Sequence, residues 1–123
     1  ERLTGWLAER LIPDQANEAA RAAHLAKADL LTEMVGEFPS LQGVIGGEYA
    51  RLDGENNSVA LAVREHYMPV RAGGDLPSEP LGAVVGLANR LDTLVGCFAI
   101  GEKPTGNKDS FGLRRQAIGL INL

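Results

Sequence analysis

Apolar residues recur at spacings of three and four along nearly the whole chain, the period of an amphipathic helix. No segment alternates with the period of two that a half-buried strand needs. Leu3, Trp6, Leu7 and Leu11 predict a first helix, stopped at Pro13. Asp14 is expected to cap a second helix that runs through Ala19, Ala20, Ala23 and Leu25. Leu30, Leu31, Met34, Val35 and Phe38 continue a helical stripe up to Pro39, which can itself open a helix carrying Leu41, Val44, Ile45, Tyr49 and Leu52. The polar run 53–58 reads as a loop, with Asn57 or Ser58 capping a short helix from Val59 to Tyr67. Residues 71–80 read as the longest loop. The clearest element runs from about Leu81 to Ile100 on the stripe Val84, Leu87, Leu91, Leu94 and Phe98. A last helix is expected from Asp109, carrying Phe111, Leu113, Ala117, Ile118 and Ile121. The predicted fold class is therefore all-α, a helical bundle.

Composition narrows this picture. A chain of 123 residues suits one domain. Aromatics are only 5%, so the core is expected to be built from Leu, Val, Ile and Ala. A net charge of −4 argues against a free-standing nucleic-acid binder that works by bulk positive field. The single cysteine, Cys97, lies in the apolar stripe and is expected to be a buried, inert thiol, compatible with a reducing compartment. The start lacks a basic stretch followed by a long apolar run, so no signal peptide is expected there. The chain opens inside an amphipathic pattern and closes on an apolar run, which suggests a piece of something longer. The Leu81–Ile100 stretch is apolar enough to raise the question of a membrane span. Asn89, Arg90 and Asp92 in its middle favour a buried helix, with Gly82 and Gly86 as close-packing positions.

Three constellations carry candidate chemistry. Asp29, Glu33 and Glu37 are spaced i, i+4, i+8 and would form one acidic stripe on a helix, able to hold a hard cation or simply to face solvent. His24 and His66 are scattered and lack the further ligands a metal site needs, so structural or surface roles are expected, with His66 complementing a helix C-terminus. Residues 102–115 hold Lys103, Lys108, Arg114 and Arg115 against Glu102 and Asp109, a local +2 that leaves −6 for the rest of the chain. A Gly- and Lys-rich loop leading into a helix is a reasonable phosphate-binding shape, although it does not match the phosphate-loop pattern.

Four ordered stretches carry a family resemblance: residues 32–46 (TEMVGEFPSLQGVIG), 65–69 (EHYMP), 87–96 (LANRLDTLVG) and 101–115, with its PTGNKD and LRR segments. Together they resemble the bacterial glycyl-tRNA synthetase β subunit. The resemblance implies a single HD-like helical domain over 1–123, cut from a longer multidomain subunit. It implies a cytoplasmic enzyme that joins glycine to its tRNA with ATP and Mg²⁺, the chemistry residing in the α subunit of an α2β2 heterotetramer. This stretch would then perform no catalysis, serving as scaffold and tRNA contact, with Lys103, Lys108, Arg114, Arg115 and, more weakly, Arg71 as the contacting residues. The HD pattern of metal phosphohydrolases is expected in degenerate form. Ala28-Asp29 stands at the His-Asp position, Asn89 at the distant Asp, and His24 lies off the pair position. No metal is expected with one ligand of four. The alternative is an active HD-type metal-dependent phosphohydrolase.

Overall fold

A computed structural model describes residues 1–123 as seven helices without a β-strand. These are α1 (Arg2–Leu11), α2 (Ala16–Leu25), α3 (Glu33–Glu37), α4 (Val44–Leu52), α5 (Asn57–Glu65), α6 (Pro80–Ala99) and α7 (Leu113–Asn122). Short 3₁₀ turns at Pro13–Gln15, Ala28–Leu31 and Pro39–Leu41 join the first four. The core lies where α1, α2, α5 and α6 meet, built from Leu7, Ala8, Ala19, Ala22, Val59, Ala62, Val63, Leu81, Val84, Val85 and Ala88. It contains Ala, Val and Leu but no Ile, and the many alanines let the helices approach closely. Helix α4 packs on α5 from one side, and α7 on α6 from another.

Glycine makes the α4–α5 contact possible. A Cβ on Gly47 would stand 2.6 Å from Arg64 Cβ and 2.9 Å from the Ala60 carbonyl oxygen, and one on Gly46 would press on Asp29 and Val63. Gly82 and Gly86 serve as the sequence suggested: Gly82 lies against Pro77 and Glu65, and Gly86 lies 3.0 Å from the His66 carbonyl oxygen by the same measure.

Several boundaries depart from the periodicity. Asp14 does not cap α2, because it sits in a 3₁₀ turn and Gln15 takes the capping position. The stripe from Leu30 to Phe38 is not one helix. Lys27 adopts a left-handed conformation (φ 69°), a 3₁₀ turn follows, and Thr32 restarts the chain by accepting from the Val35 amide. Asp29 is consequently off the helix that carries Glu33 and Glu37, and the acidic stripe does not form. Pro39 opens only a 3₁₀ turn, and Gly43 at φ 80° separates it from α4. Helix α5 is capped by Asn56, whose side chain accepts from the Ser58 amide. The last helix starts four residues later than expected, at Leu113, with Asp109 reaching it from outside.

Helix α6 is only partly a buried helix. Its first half is in the core, whereas Val95, Phe98 and the following Ile100 are exposed, Val95 by 65%. Cys97 is half-buried, not buried as expected. By length and composition α6 is apolar enough to cross a membrane, yet its central Arg90 is buried within the protein, with both terminal guanidinium nitrogens hydrogen-bonded and Nε without a partner. One nitrogen of the guanidinium donates to the Tyr67 and Pro69 carbonyls (2.9 and 3.0 Å), and another donates to Gln116 on α7 (2.7 Å). Burial lowers the pKa of Arg90.

Gly47→Ala is expected to destabilise the fold by about 1–3 kcal/mol through overpacking against α5. Gly5→Ala, whose new methyl group meets nothing within 4 Å, is expected to stabilise it by about 0.5–1 kcal/mol. Urea unfolding midpoints of the two variants check both signs.

Candidate functional site

Asp29 is buried, with one carboxylate oxygen bonded to the backbone of α4 and the other, Oδ1, without a partner. Its Oδ2 accepts from the Gly43 amide and, at 3.2 Å, from the Gly46 amide. Those are the capping position and the third residue of α4, so a carboxylate from fourteen residues upstream caps this helix. Glycine at 46 eases this approach, because a Cβ there would stand 3.1 Å from the carboxylate. Asp29 and Ala28 line a cavity of about 370 Å³ with Thr32 and Tyr49. Asn89 lines a different and larger cavity, of about 760 Å³, between α1, the end of α2, His66 and α6. The structure thus does not gather Ala28, Asp29 and Asn89 into one cavity.

Neither histidine joins Asp29. His24 is exposed and pairs through Nδ1 with the Glu1 carboxylate. His66 is buried, and its Nδ1–H donates to the Val63 carbonyl at 2.6 Å. Desolvation lowers the His66 pKa, so it is a neutral side chain and not the cationic complement of a helix C-terminus. No three His, Cys, Asp or Glu side chains converge on one point. The donor set therefore does not fit a metal of the HD type, and no hydrolytic step can be built through one.

The basic residues fall into two groups. Lys103 and Lys108 line one pocket of about 300 Å³ together with Thr105, Asp109 and Ser110. Thr105 and Lys108 exchange backbone hydrogen bonds across a tight turn with Gly106 at φ 49°. Lys103 also lies 6.0 Å from the Phe98 ring centroid. Asp109 accepts from the Leu113 and Arg114 amides at 2.7 and 3.0 Å, and these bonds hold its carboxyl below the usual range. The N-terminus of α7 is thereby already occupied by an anion, so any phosphate recognition here rests on the side chains. Arg114 and Arg115 project from the first turn of α7, exposed, and neither forms an ion pair. Arg71 is exposed in the loop between α5 and α6 and does not line the Lys103–Lys108 pocket.

Sequence reasoning missed three positions. In the sequence pattern Arg90 reads only as a polar interruption, Lys27 gives no signal, and Glu65 reads only as part of a signature. Glu65 is buried and accepts from the Ser78 amide (2.7 Å) and hydroxyl, pinning the long loop to α5. The signal was available in the 65–69 stretch. Its Glu65 side chain, His66 ring and Tyr67 and Pro69 carbonyls all make long-range or buried bonds.

Asp29→Ala is expected to cost about 2–4 kcal/mol by orphaning two buried amides, and Asp29→Asn less, because one acceptor remains. Thermal melts of the two variants rank them. His66 adds a pH dependence. Its folded pKa lies below the usual value of about 6.5, so the unfolded chain binds the extra proton first. The stability tied to the neutral ring is complete above that value and is lost as pH falls below it, by at most about 1.4 kcal/mol per pH unit. A flat unfolding free energy across that window, or the same slope in His66→Gln, refutes the assignment.

The model of the glycyl-tRNA synthetase beta subunit family matches residues 1–123. The chain is 57% identical over 123 residues, all of it, to the glycine–tRNA ligase beta subunit of Aromatoleum aromaticum, covering 18% of that protein. It is 56% identical over 121 residues, 98% of the chain, to that of Trichlorobacter lovleyi, again covering 18% of the relative. With the beta subunit of Thiobacillus denitrificans it shares 59% over 108 residues, 88% of the chain and 15% of the relative. The chain therefore spans less than a fifth of the length of these relatives. With the whole chain matched and more than half its residues identical to these relatives, it belongs to the glycyl-tRNA synthetase beta subunit family.

Proposed function

We propose that this chain is an HD-like helical module of a glycine–tRNA ligase β subunit and acts as scaffold and tRNA contact, with no catalytic centre of its own. The family match along its whole length carries this reading. The enzyme as a whole would be a cytoplasmic ligase that glycylates tRNA in association with an α subunit, as α2β2. ATP and Mg²⁺ would act in that α subunit. The geometry is compatible with a non-catalytic role here: Asp29 Oδ2 is committed to backbone amides, and the buried His66 is not joined to other ligating side chains.

The exposed cations Lys103, Lys108, Arg114 and Arg115 are the proposed tRNA contact. They surround a tight turn and the first turn of α7, where several phosphates of a folded RNA can be met at once. Their local positive charge sits on a chain of net −4, which would confine RNA to this face. Arg71, on a separate loop, is a weaker contact in the same reading.

In the full enzyme, Lys108→Glu and Arg115→Glu are each expected to raise KM for tRNA by about tenfold at low salt. Each should reduce the salt slope of tRNA binding by about 1, and glycine-dependent ATP–pyrophosphate exchange should stay unchanged. Unaltered tRNA kinetics in both variants would leave the module as scaffold alone.

A further inference from the structure

The larger cavity carries features that the basic loop does not explain. At about 760 Å³ it falls within the range of small-ligand pockets. Trp6, 53% exposed, lines it, and the Arg10 guanidinium covers one indole face at 4.0 Å, leaving the ring's second face. Lys27 and Arg2 line it as well, and neither forms an ion pair. Lys27 is the only non-glycine residue with positive φ, a conformation that costs a lysine free energy and is concentrated at functional positions.

Several polar groups of the lining residues have no partner within the protein. His66 commits its Nδ1–H to Val63, which leaves Nε2 as a lone-pair acceptor, buried and without a partner. No side-chain hydrogen bond within the protein engages the Asn89 carboxamide, which offers a donor and an acceptor together. Asp92 supplies a further acceptor suited to hydroxyl groups. Glu1 also lines the cavity, but its carboxylate is engaged by His24.

An aromatic face, a carboxamide, a buried acceptor, a carboxylate and two free cations match different parts of one ligand. The flat face and carboxamide suit a nucleobase, which proteins hold by stacking and by hydrogen bonds to its edge. Asp92 and His66 Nε2 suit ribose hydroxyl or base N–H donors, and Lys27 with Arg2 suits a phosphate. We propose that this cavity binds a single nucleotide unit, either a free nucleoside monophosphate or a nucleotide turned out of single-stranded RNA. This site is separate from the Lys103–Arg115 face, and its occupancy does not depend on that face touching tRNA.

The test uses the full-length β subunit that carries this chain, purified without its α subunit. Equilibrium dialysis measures binding of AMP, of a five-nucleotide single-stranded RNA, of adenosine and of inorganic phosphate. Saturable binding of AMP or of the RNA is expected, with adenosine and phosphate each weaker than AMP if AMP binds. Lys27→Gly, which suits the positive φ, and Asn89→Ala should each weaken binding by about tenfold. Lys108→Glu should leave it unchanged, which separates this proposal from the tRNA reading. Circular dichroism melts confirm that the variants are folded. Binding of free AMP identifies a mononucleotide site, and binding of RNA alone with the same variant response identifies a turned-out nucleotide. Cross-linking with 8-azido-AMP, or with an RNA bearing that base, should label the Trp6 or Asn89 peptide. No saturable binding of either probe overturns the proposal, as does binding insensitive to both folded variants or labelling confined to other peptides.

Discussion

Helix α7 and the loop after α5 are held in place by one buried guanidinium. Arg90 sits in the middle of the longest helix, 3% exposed, and faces no carboxylate. A buried charge is tolerable only when hydrogen bonds replace its hydration, and here two carbonyls and one carboxamide do so for the terminal nitrogens, leaving Nε unpartnered. Two of those partners belong to the turn after α5 and the third to α7, so one side chain on α6 ties both segments to it. Gly119 completes the arrangement: a Cβ there would come within 2.9 Å of the guanidinium carbon. A larger residue at that position would have to displace the guanidinium from its hydrogen bonds.

Two carboxylates work in the same way. Asp29 caps α4 from a distance, Glu65 pins the long loop through Ser78, and glycines at 46 and 82 lie against them. The apolar core is small-residued and fills only the meeting of four helices. The peripheral elements are therefore positioned largely by buried polar groups that reach across to backbone amides and carbonyls.

That division explains what the sequence made legible. Helices α1, α5 and α6 follow from apolar spacing, since their stripes face the core, and the packing glycines of α6 follow from their one-turn spacing. The breaks around α3 do not follow, because they depend on a left-handed Lys27 and on Asp29 turning toward amides beyond its own helix. The exposed end of α6 was also illegible: periodicity identifies an apolar stripe without saying which part of it has a partner. At the candidate sites, the lysines and arginines of 103–115 stand close together in the chain and could be found by counting charge. The nucleotide-sized cavity draws on residues 2, 6, 27, 66, 89 and 92, from two helices and two connecting segments, and only folding brings them to one place.

Arg90 has a further consequence through its neighbours. Asn89 precedes it on α6 and faces the cavity, while its guanidinium grips the carbonyl of Tyr67, the residue after His66, and Gln116 on α7. The cavity wall and the helix bearing Arg114 and Arg115 thus hang from opposite sides of one strut. Arg90 holds α7 through one guanidinium nitrogen and the turn after His66 through the other. In this architecture the two surfaces, although chemically distinct, share one anchoring side chain.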